Sequence, residues 1–335
     1  MKFRDTHISL AHGNGGRMMR ELIEELFAPA LASAHLDTRA DAAVLPMSMD
    51  RELVVTTDGF TVQPLEFPGG NIGSLAVHGT VNDLAVSGAE PRFMTLSVFL
   101  EEGLEIAVLR RVVGALADAA RSSGVDVVAG DTKVLGRGDC DGIYLAVTGI
   151  GFRPPGIRLG IDLVRAGDRV LVSGSIGEHG AAVMLARQEF GLRGDLQSDA
   201  ASILPEARAL MAVPGVRFMR DPTRGGLATV AHEVARASRV AVHLVEERIP
   251  ISDPVQSVCE LLGFDPMYLA CEGRLVAVVS AQAAEAALNA LRAVSAHAAM
   301  IGEIKDGPPQ VVLATSFGGL RILDELEDDP LPRIC

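Results

Sequence analysis

The sequence predicts a two-domain α/β protein, and three observations predict it. Its 335 residues are enough for two full hydrophobic cores. Short apolar runs of strand length alternate along it with longer stretches whose apolar residues recur at helical spacing. Near the middle, Arg153-Pro154-Pro155-Gly156 breaks both patterns and marks a joint. Hydrophobic residues make up 48% but aromatics only 4%, with no tryptophan, so the cores are expected to be aliphatic and alanine-rich.

The elements follow in order. His12-Gly13-Asn14-Gly15-Gly16-Arg17 precedes a helix over 18–27, with Leu22, Ile23 and Leu26 at helical spacing. Glycines before a helix leave backbone N–H groups free to face a phosphate, and they also make a flexible entry turn; both readings stay open. Two short strands, 42–45 and 53–56, are each flanked by an aspartate, Asp41 and Asp58. A helix over 72–88 carries His78, Asn82 and Asp83 among apolar and small residues that leave little solvated face. Asn and Asp are poor mid-helix residues and a buried carboxylate needs a cation, so this pair reads as functional. A strand over 91–100 and a helix over 104–123 follow, the helix turning Val108, Val112, Leu116 and Ala119 or Ala120 inward. A strand over 125–129 ends in Gly130-Asp131-Thr132-Lys133. Lys133 is one of only three lysines, and it serves either as a surface turn residue or as a phosphate contact or base. A strand over 143–152 closes the first half.

The second half begins with a strand over 170–172. The glycine run Ser173–Gly180 after it superficially resembles a nucleotide loop, but no acidic ribose ligand follows a second strand. No GxxxxGK[ST] occurs, so an ATP site needs another architecture. Asp221-Pro222-Thr223-Arg224-Gly225-Gly226 opens a helix over 227–238, where Asp221 is either a cap or a ligand. A strand over 240–245 and a helix over 253–263 lead to Cys271-Glu272-Gly273, at the start of a strand over 275–279. Glu272 there is a turn residue or an acid/base. A helix over 281–293, a strand near Met300 and a hairpin over 311–323 complete the fold.

The chain ends in Pro332-Arg333-Ile334-Cys335, after an acidic stretch with two prolines that is expected to stay extended and solvated. Twelve extended residues reach at most roughly 40 Å, enough to swing a terminal thiol from solvent into a site. Cys335 reads as a carrier thiol. The other cysteines, at 140, 259 and 271, show no paired or metal-type spacing. Asp41, Asp58, Asp83, Asp131 and Asp221 are instead hard oxygen ligands without a His or Cys cluster, a set that suits Mg²⁺ and nucleotide phosphates. A formal charge of −13 argues against nucleic acid and anionic membrane as partners. No apolar run approaches the roughly 20 residues a bilayer span needs. With no signal peptide after Met1, the expected setting is the cytoplasm.

The motifs His12–Gly16, Asp41–Val44, Thr56–Gly59, Val81–Ala85, Ala129–Lys133, Asp221–Ala228 and Pro332–Cys335 together resemble the HypE family of carbamoyl dehydratases. The internal motifs are shared with aminoimidazole ribonucleotide (AIR) synthetase (PurM), thiamine monophosphate kinase and selenophosphate synthetase; the terminal Pro-Arg-Ile-Cys singles out HypE. One departure is Arg39-Ala40 before Asp41, where kinase relatives carry Gly-Asp.

The resemblance implies a PurM-like fold. Residues 1–153 would bind ATP and Mg²⁺ and dimerise through a barrel-like sheet core, 154–323 would form the second domain, and 324–335 the flexible tail. It implies ATP-dependent dehydration of a carbamoyl group on Cys335 to a thiocyanate whose cyanide goes to the iron of NiFe hydrogenase. Lys133 and Glu272 would transfer protons. Gly13, Asn14, Gly15, Gly16, Asn82, Asp83, Thr132, Asp221, Thr223 and Arg224 would hold the nucleotide, and the five aspartates the metal. A homodimer, the carbamoyltransferase HypF as donor and a HypC–HypD complex as acceptor are the implied partners. The alternatives are a non-catalytic thiol carrier and another ATP enzyme of the superfamily, such as a small-molecule kinase. Selenophosphate synthetase would need a Cys or selenocysteine in the first glycine-rich segment, and residues 1–139 contain none.

Overall fold

The structure, a computed structural model, describes residues 5–13, 17–36, 38, 43, 45, 50–187, 194–327, 331 and 333–335. Two compact units emerge, one comprising Met1–Leu84, Ala89–Pro155 and Cys335, the other Ala85–Gly88 and Gly156–Ile334.

In the first unit, helix α1 (Arg17–Leu22) continues through a π turn, Ile23–Phe27, into Ala28–Ala30. Then come β1 (Glu52–Phe60), α2 (Ile72–Val86), β2 (Glu90–Glu101), α3 (Ile106–Ser123), β3 (Asp126–Leu135) and β4 (Ile143–Arg153). The strands form one sheet in the order β1-β4-β2-β3. Only β2 and β3 run parallel, which requires a crossover, and α3 supplies it. That helix stops at Gly124, whose φ of +68° lets its N–H turn back to the Ala120 carbonyl. Its buried face is Ile106, Leu109, Val112, Val113, Leu116, Ala119 and Ala120. Val108, expected inward, is only half-buried, and Leu109 takes its place.

Helix α2 lies over β4 on one face of the sheet. A Cβ on Gly149 would come within 2.5 Å of Thr80 Cγ2, so only glycine lets helix and strand approach this closely. On β1 the residues at 54, 56 and 58 face this covered side. Leu53 and Val55 face the other way and are 53% and 56% exposed.

Strand β3 differs from expectation. It does not end at Ala129 but runs on through Asp131, Thr132 and Lys133, which pair with Ser97, Val98 and Phe99 of the long β2. A twelve-residue neighbour offers ladder partners for the whole stretch, and this overrides the turn propensity of Gly130-Asp131. The expected strand over 42–45 falls largely outside the described residues.

The second unit contains β5 (Arg169–Val172), α4 (Glu178–Arg187), α5 (Leu204–Met211), β6 (Val216–Arg220), α6 (Gly226–Ser238), β7 (Ala241–Val245) and α7 (Asp253–Leu262). After these come β8 (Val276–Val279), α8 (Ala284–Val294), β9 (Ala299–Lys305), β10 (Gln310–Ala314) and β11 (Leu320–Leu323). The seven strands order as β11-β10-β7-β9-β5-β8-β6, antiparallel except for β10 on β7. Helix α5 and strand β6 have no counterpart in the sequence reading. Helix α6 buries Leu227, Val230, Ala231 and Val234 against Val242, Leu244, Ile301, Val311 and Leu313.

The tail also departs from expectation. Leu331 and Ile334 are buried, 6% and 2% exposed, because the apolar side chains between the prolines and the terminus find a pocket instead of solvent.

Because Leu109 is fully buried and Val108 is not, Leu109→Ala should cost about 2–5 kcal/mol in urea unfolding. Val108→Ala should cost under about 1 kcal/mol. Equal losses would mean that the other face of α3 meets the sheet.

Candidate functional site

In the first unit, Gly13 lies against β3. A Cβ there would sit 2.6 Å from the Val134 backbone nitrogen, so Gly13 itself is held beside the residue after Lys133. Asn14, Gly15 and Gly16 are outside the described residues, as is Asp41. His12 is 1% exposed. Its Nδ1 accepts the Ser9 N–H at 3.0 Å, which leaves the proton on Nε2, facing Asp5 Oδ2 at 3.1 Å. Lys133 Nζ meets Asp131 Oδ2 at 2.9 Å in a half-exposed pair, and Asp131 Oδ1 accepts the Thr132 N–H at 2.8 Å. Beside them a cavity of about 160 Å³ is lined by Phe27, Leu31, Val98, Val127 and Thr132.

The carboxylates divide between the two edges of this sheet. Asp58 on β1 is level with Val147, Leu96 and Gly130 across the strands, so three interstrand steps, roughly 14 Å, separate it from the edge carrying Asp131. They also face opposite ways. Asp58 faces the helices, where its neighbour Thr56 donates to Asp83 Oδ2 at 2.6 Å. Asp131 and Lys133, in register with Ser97 and Phe99, face the open side. Asn82, next to Asp83, is buried at 1% exposure. Among the described residues no group of three or more His, Cys, Asp or Glu is placed to hold a metal ion. Asp58 and Asp83 lie on the same side of the sheet, and Mg²⁺, which takes one or two carboxylates and completes its shell with phosphate and water, is an ion that such a pair could hold. In this unit too, the half-buried Cys335 has an α-carboxylate oxygen held by Thr61, whose N–H and Oγ1 donate at 3.0 and 3.3 Å.

In the second unit, Glu272 is 2% exposed. Its N–H donates to Asp199 Oδ1 at 3.1 Å, and the preceding Cys271 N–H donates to the Pro222 carbonyl at 2.9 Å. The second bond brings Asp221-Pro222 beside the Glu272 turn. Asp221 is not the cap of α6: Gly225 holds that position with a φ of +68°, and no side chain caps it. Asp221 is buried, Thr223 half-buried and Arg224 exposed. Arg274 ties the turn down, donating to Glu178 Oε2 at 2.6 Å, Ser175 O at 2.9 Å and Gly273 O at 3.0 Å. Burial pushes the Asp199 carboxyl up, with Arg274 and backbone N–H groups opposing. Burial also pushes the Cys271 thiol well up, with Asp199 adding to it, so Cys271 is a core residue.

Four contributors were not legible in the sequence: Asp199, Arg274, His179 and Arg187. His179 sits inside the glycine run that superficially resembled a nucleotide loop. It is fully buried, and its Nε2 bonds the Ile334 carbonyl at 2.7 Å. Arg187 donates to the Arg333 carbonyl at 2.9 Å. The same helix α4 joins the Glu272 turn, since the Gly177 N–H donates to Cys271 Sγ at 3.1 Å and the Gly180 N–H to Ala270 O at 3.0 Å.

Residues 39–152 match the family described as AIR synthase related protein, N-terminal domain, and residues 165–314 its C-terminal domain. The chain is 46% identical to the carbamoyl dehydratase HypE of Azotobacter vinelandii over all of its length and 99% of that protein. It superposes on a crystal structure of the hydrogenase maturation protein HypE in complex with ATP with a TM-score of 0.93. The identity there is 43%, covering 97% of this chain and 99% of that one. HypE in a HypE–HypF complex aligns at a TM-score of 0.79 and 41% identity, covering 91% and 99%.

Burial lowers His179 and His78 to about 4 from an ordinary 6.5, with the Ile334 carbonyl partly opposing at His179. The folded protein therefore binds fewer protons than the unfolded chain between these values. The stabilisation is fully present above pH 6.5 and is lost as pH falls toward 4, roughly 3 kcal/mol per histidine. Denaturant unfolding from pH 7 to 4.5 should show a steep loss of stability, and His78→Gln should flatten it. A variant with the wild-type slope would mean that His78 is not buried neutral.

Proposed function

Because the chain belongs to the HypE family of carbamoyl dehydratases, which act in hydrogenase maturation, we propose that Cys335 carries the carbamoyl group and that Glu272 and Lys133 move the protons of its dehydration. The protein is an ATP-using enzyme. Its substrate is the S-carboxamide Cys335–S–C(=O)–NH2, whose oxygen is a poor leaving group until ATP phosphorylates it. One N–H proton leaves as the oxygen takes the phosphoryl group and ADP departs. The second leaves as phosphate is expelled, and the sulfur then bears –C≡N. The cyano group passes to iron as cyanide when the S–C bond is cleaved with two electrons from the iron-carrying acceptor, and Cys335 returns as the thiolate.

Glu272 is the proton acceptor in this reading, a carboxylate shielded from water on a turn fixed by Asp199 and Pro222. Lys133, whose Nζ lies 2.9 Å from Asp131 Oδ2, is the second proton-transfer residue. The backbone of Gly13, Asn14, Gly15 and Gly16, together with Asn82, Thr132, Asp221, Thr223 and Arg224, would bind the nucleotide. Asp58 and Asp83 would hold Mg²⁺, with Asp41 and Asp221 as further ligands and Asp131 supplied by a second copy of the chain. The ion would neutralise phosphate charge during transfer.

The protein is proposed to act as a cytoplasmic homodimer. Exposed Leu53 and Val55 on the uncovered sheet face support this, as does the separation of Asp131 from Asp58 within one chain, which leaves room for a second copy to complete the set. HypF is the proposed carbamoyl donor, supported by the relative solved with it. A HypC–HypD iron complex is the proposed acceptor, on the family's chemistry alone.

The observation that carries the reading is the seat of the chain's end. Ile334 is gripped by His179, on the helix whose first turn is bonded to the Glu272 turn. The test is mass spectrometry of the C-terminal peptide after incubation with HypF, its carbamoyl source and ATP. Wild type should yield thiocyanate, and Cys335→Ala should take up no carbamoyl. Glu272→Gln should accumulate the carbamoylated tail, its dehydration slowed roughly 10²–10⁴-fold. Loading of the Cys335→Ala variant on another cysteine, or thiocyanate from Glu272→Gln at the wild-type rate, would overturn the assignments.

For the dimer, Val55→Asp should convert the protein to a monomer in sedimentation velocity while its circular dichroism persists. A variant that stays dimeric would put the interface elsewhere.

A further inference from the structure

Nothing in the reaction itself requires His179 or Arg187, yet both are spent on the tail. His179 is the second residue of α4 and Arg187 the last. Each donates to a main-chain carbonyl, of Ile334 at 2.7 Å and of Arg333 at 2.9 Å. A carbonyl oxygen only accepts, so Nε2 carries the ring proton and points it at the tail. Nδ1 of the neutral ring then accepts from Ser198 Oγ at 2.8 Å, and the same Oγ accepts the Ala200 N–H at 3.0 Å. Two apolar plugs complete the seat, Leu331 and Ile334, with Arg333 between prolines and plug at a φ of +57°, a conformation a non-glycine residue keeps only when its surroundings impose it.

We propose that His179, aligned by Ser198 and assisted by Arg187, is the positioning residue of this enzyme, a latch on the main chain of residues 333–334 that holds the loaded tail for dehydration. The grip falls on carbonyls, so it is indifferent to what the neighbouring sulfur carries. It suits a tail that returns as thiol, carboxamide and thiocyanate in turn. The imidazole stays neutral through ordinary pH because it is buried, so the latch does not open by protonation near pH 7.

The docking half of this proposal stands by itself, and the dehydration half rests on Cys335 being the carrier. The test reads them separately in the full-length protein. Cys140, Cys259 and Cys271 are buried, so maleimide labelling followed by mass spectrometry reports Cys335. His179→Leu should raise the labelling rate at least fivefold and slow dehydration of a pre-carbamoylated tail at least tenfold. ATP binding, melting temperature and carbamoyl loading should not fall. His179→Gln, whose amide can still donate to the Ile334 carbonyl, should restore both rates to within about threefold of wild type. Should His179→Leu fail to fold, Ile334→Asp attacks the same contact from the tail and should reproduce the faster labelling.

A folded His179→Leu protein that labels and dehydrates like wild type would overturn the proposal, as would a folded His179→Gln protein as impaired as the leucine variant. If labelling shifts as expected while Cys335→Ala still makes thiocyanate, the carrier assignment fails and the latch stands.

Discussion

A buried carboxylate governs the second unit. Asp199 is taken out of water almost completely, and its Oδ1 receives the backbone N–H of Glu272 while Arg274 lies 3.7 Å from its other oxygen. Removing one member of such a buried set leaves an uncompensated charge and typically costs about 3–5 kcal/mol. That penalty keeps the turn at 271–274 in one conformation. It also fixes α4, because the same Arg274 holds Glu178 in the first turn of that helix. Glycine makes the approach possible: a Cβ on Gly273 would lie 1.8 Å from the Asp199 carbonyl oxygen. The position of Glu272, the orientation of His179 and the seat of the tail all descend from this one ion-paired cluster.

The first unit works by a different constraint, sheet geometry. Side chains alternate across a strand, so Asp131 and Lys133 share the open face while Thr132 between them points into the covered side. A single strand thus serves a charged surface and an interior cavity at once. The parallel pairing of β2 with β3 sets that alternation in register with Ser97 and Phe99, and α3 enforces the pairing. An insertion of one residue in β3 would exchange the two roles.

Much of the fold was legible, because apolar periodicity reports burial directly. Helix α3, the four buried positions of β8 and the β10–β11 hairpin each follow from it. Misreadings arose where a distant neighbour overrode a local signal. Gly130-Asp131 has turn propensity, yet a long β2 draws it into a ladder. The Pro-rich acidic tail has the composition of a solvated segment, yet Leu331 and Ile334 are packed away. Among site residues, Glu272 and Cys335 stood out because a carboxylate opening an apolar strand and a terminal thiol are locally anomalous. Asp199 and Arg274 did not, since an aspartate in a loop and an arginine after a glycine look like surface residues. Their meaning lies in contacts across 73 and 96 residues of chain, which no local pattern records. Five aspartates of similar appearance were grouped by chemistry alone. The sheet instead keeps Asp131 apart from Asp58 and Asp83, because the register of the strands, not the residue type, decides which carboxylates can share an ion.

The hold on the chain's last residues has a bearing on how this sequence can drift. Every residue presents the same carbonyl, so substitutions at 324–330 alter none of the groups that His179 and Arg187 grasp. Selection is concentrated instead on the size of residues 331 and 334, whose side chains are the ones packed away.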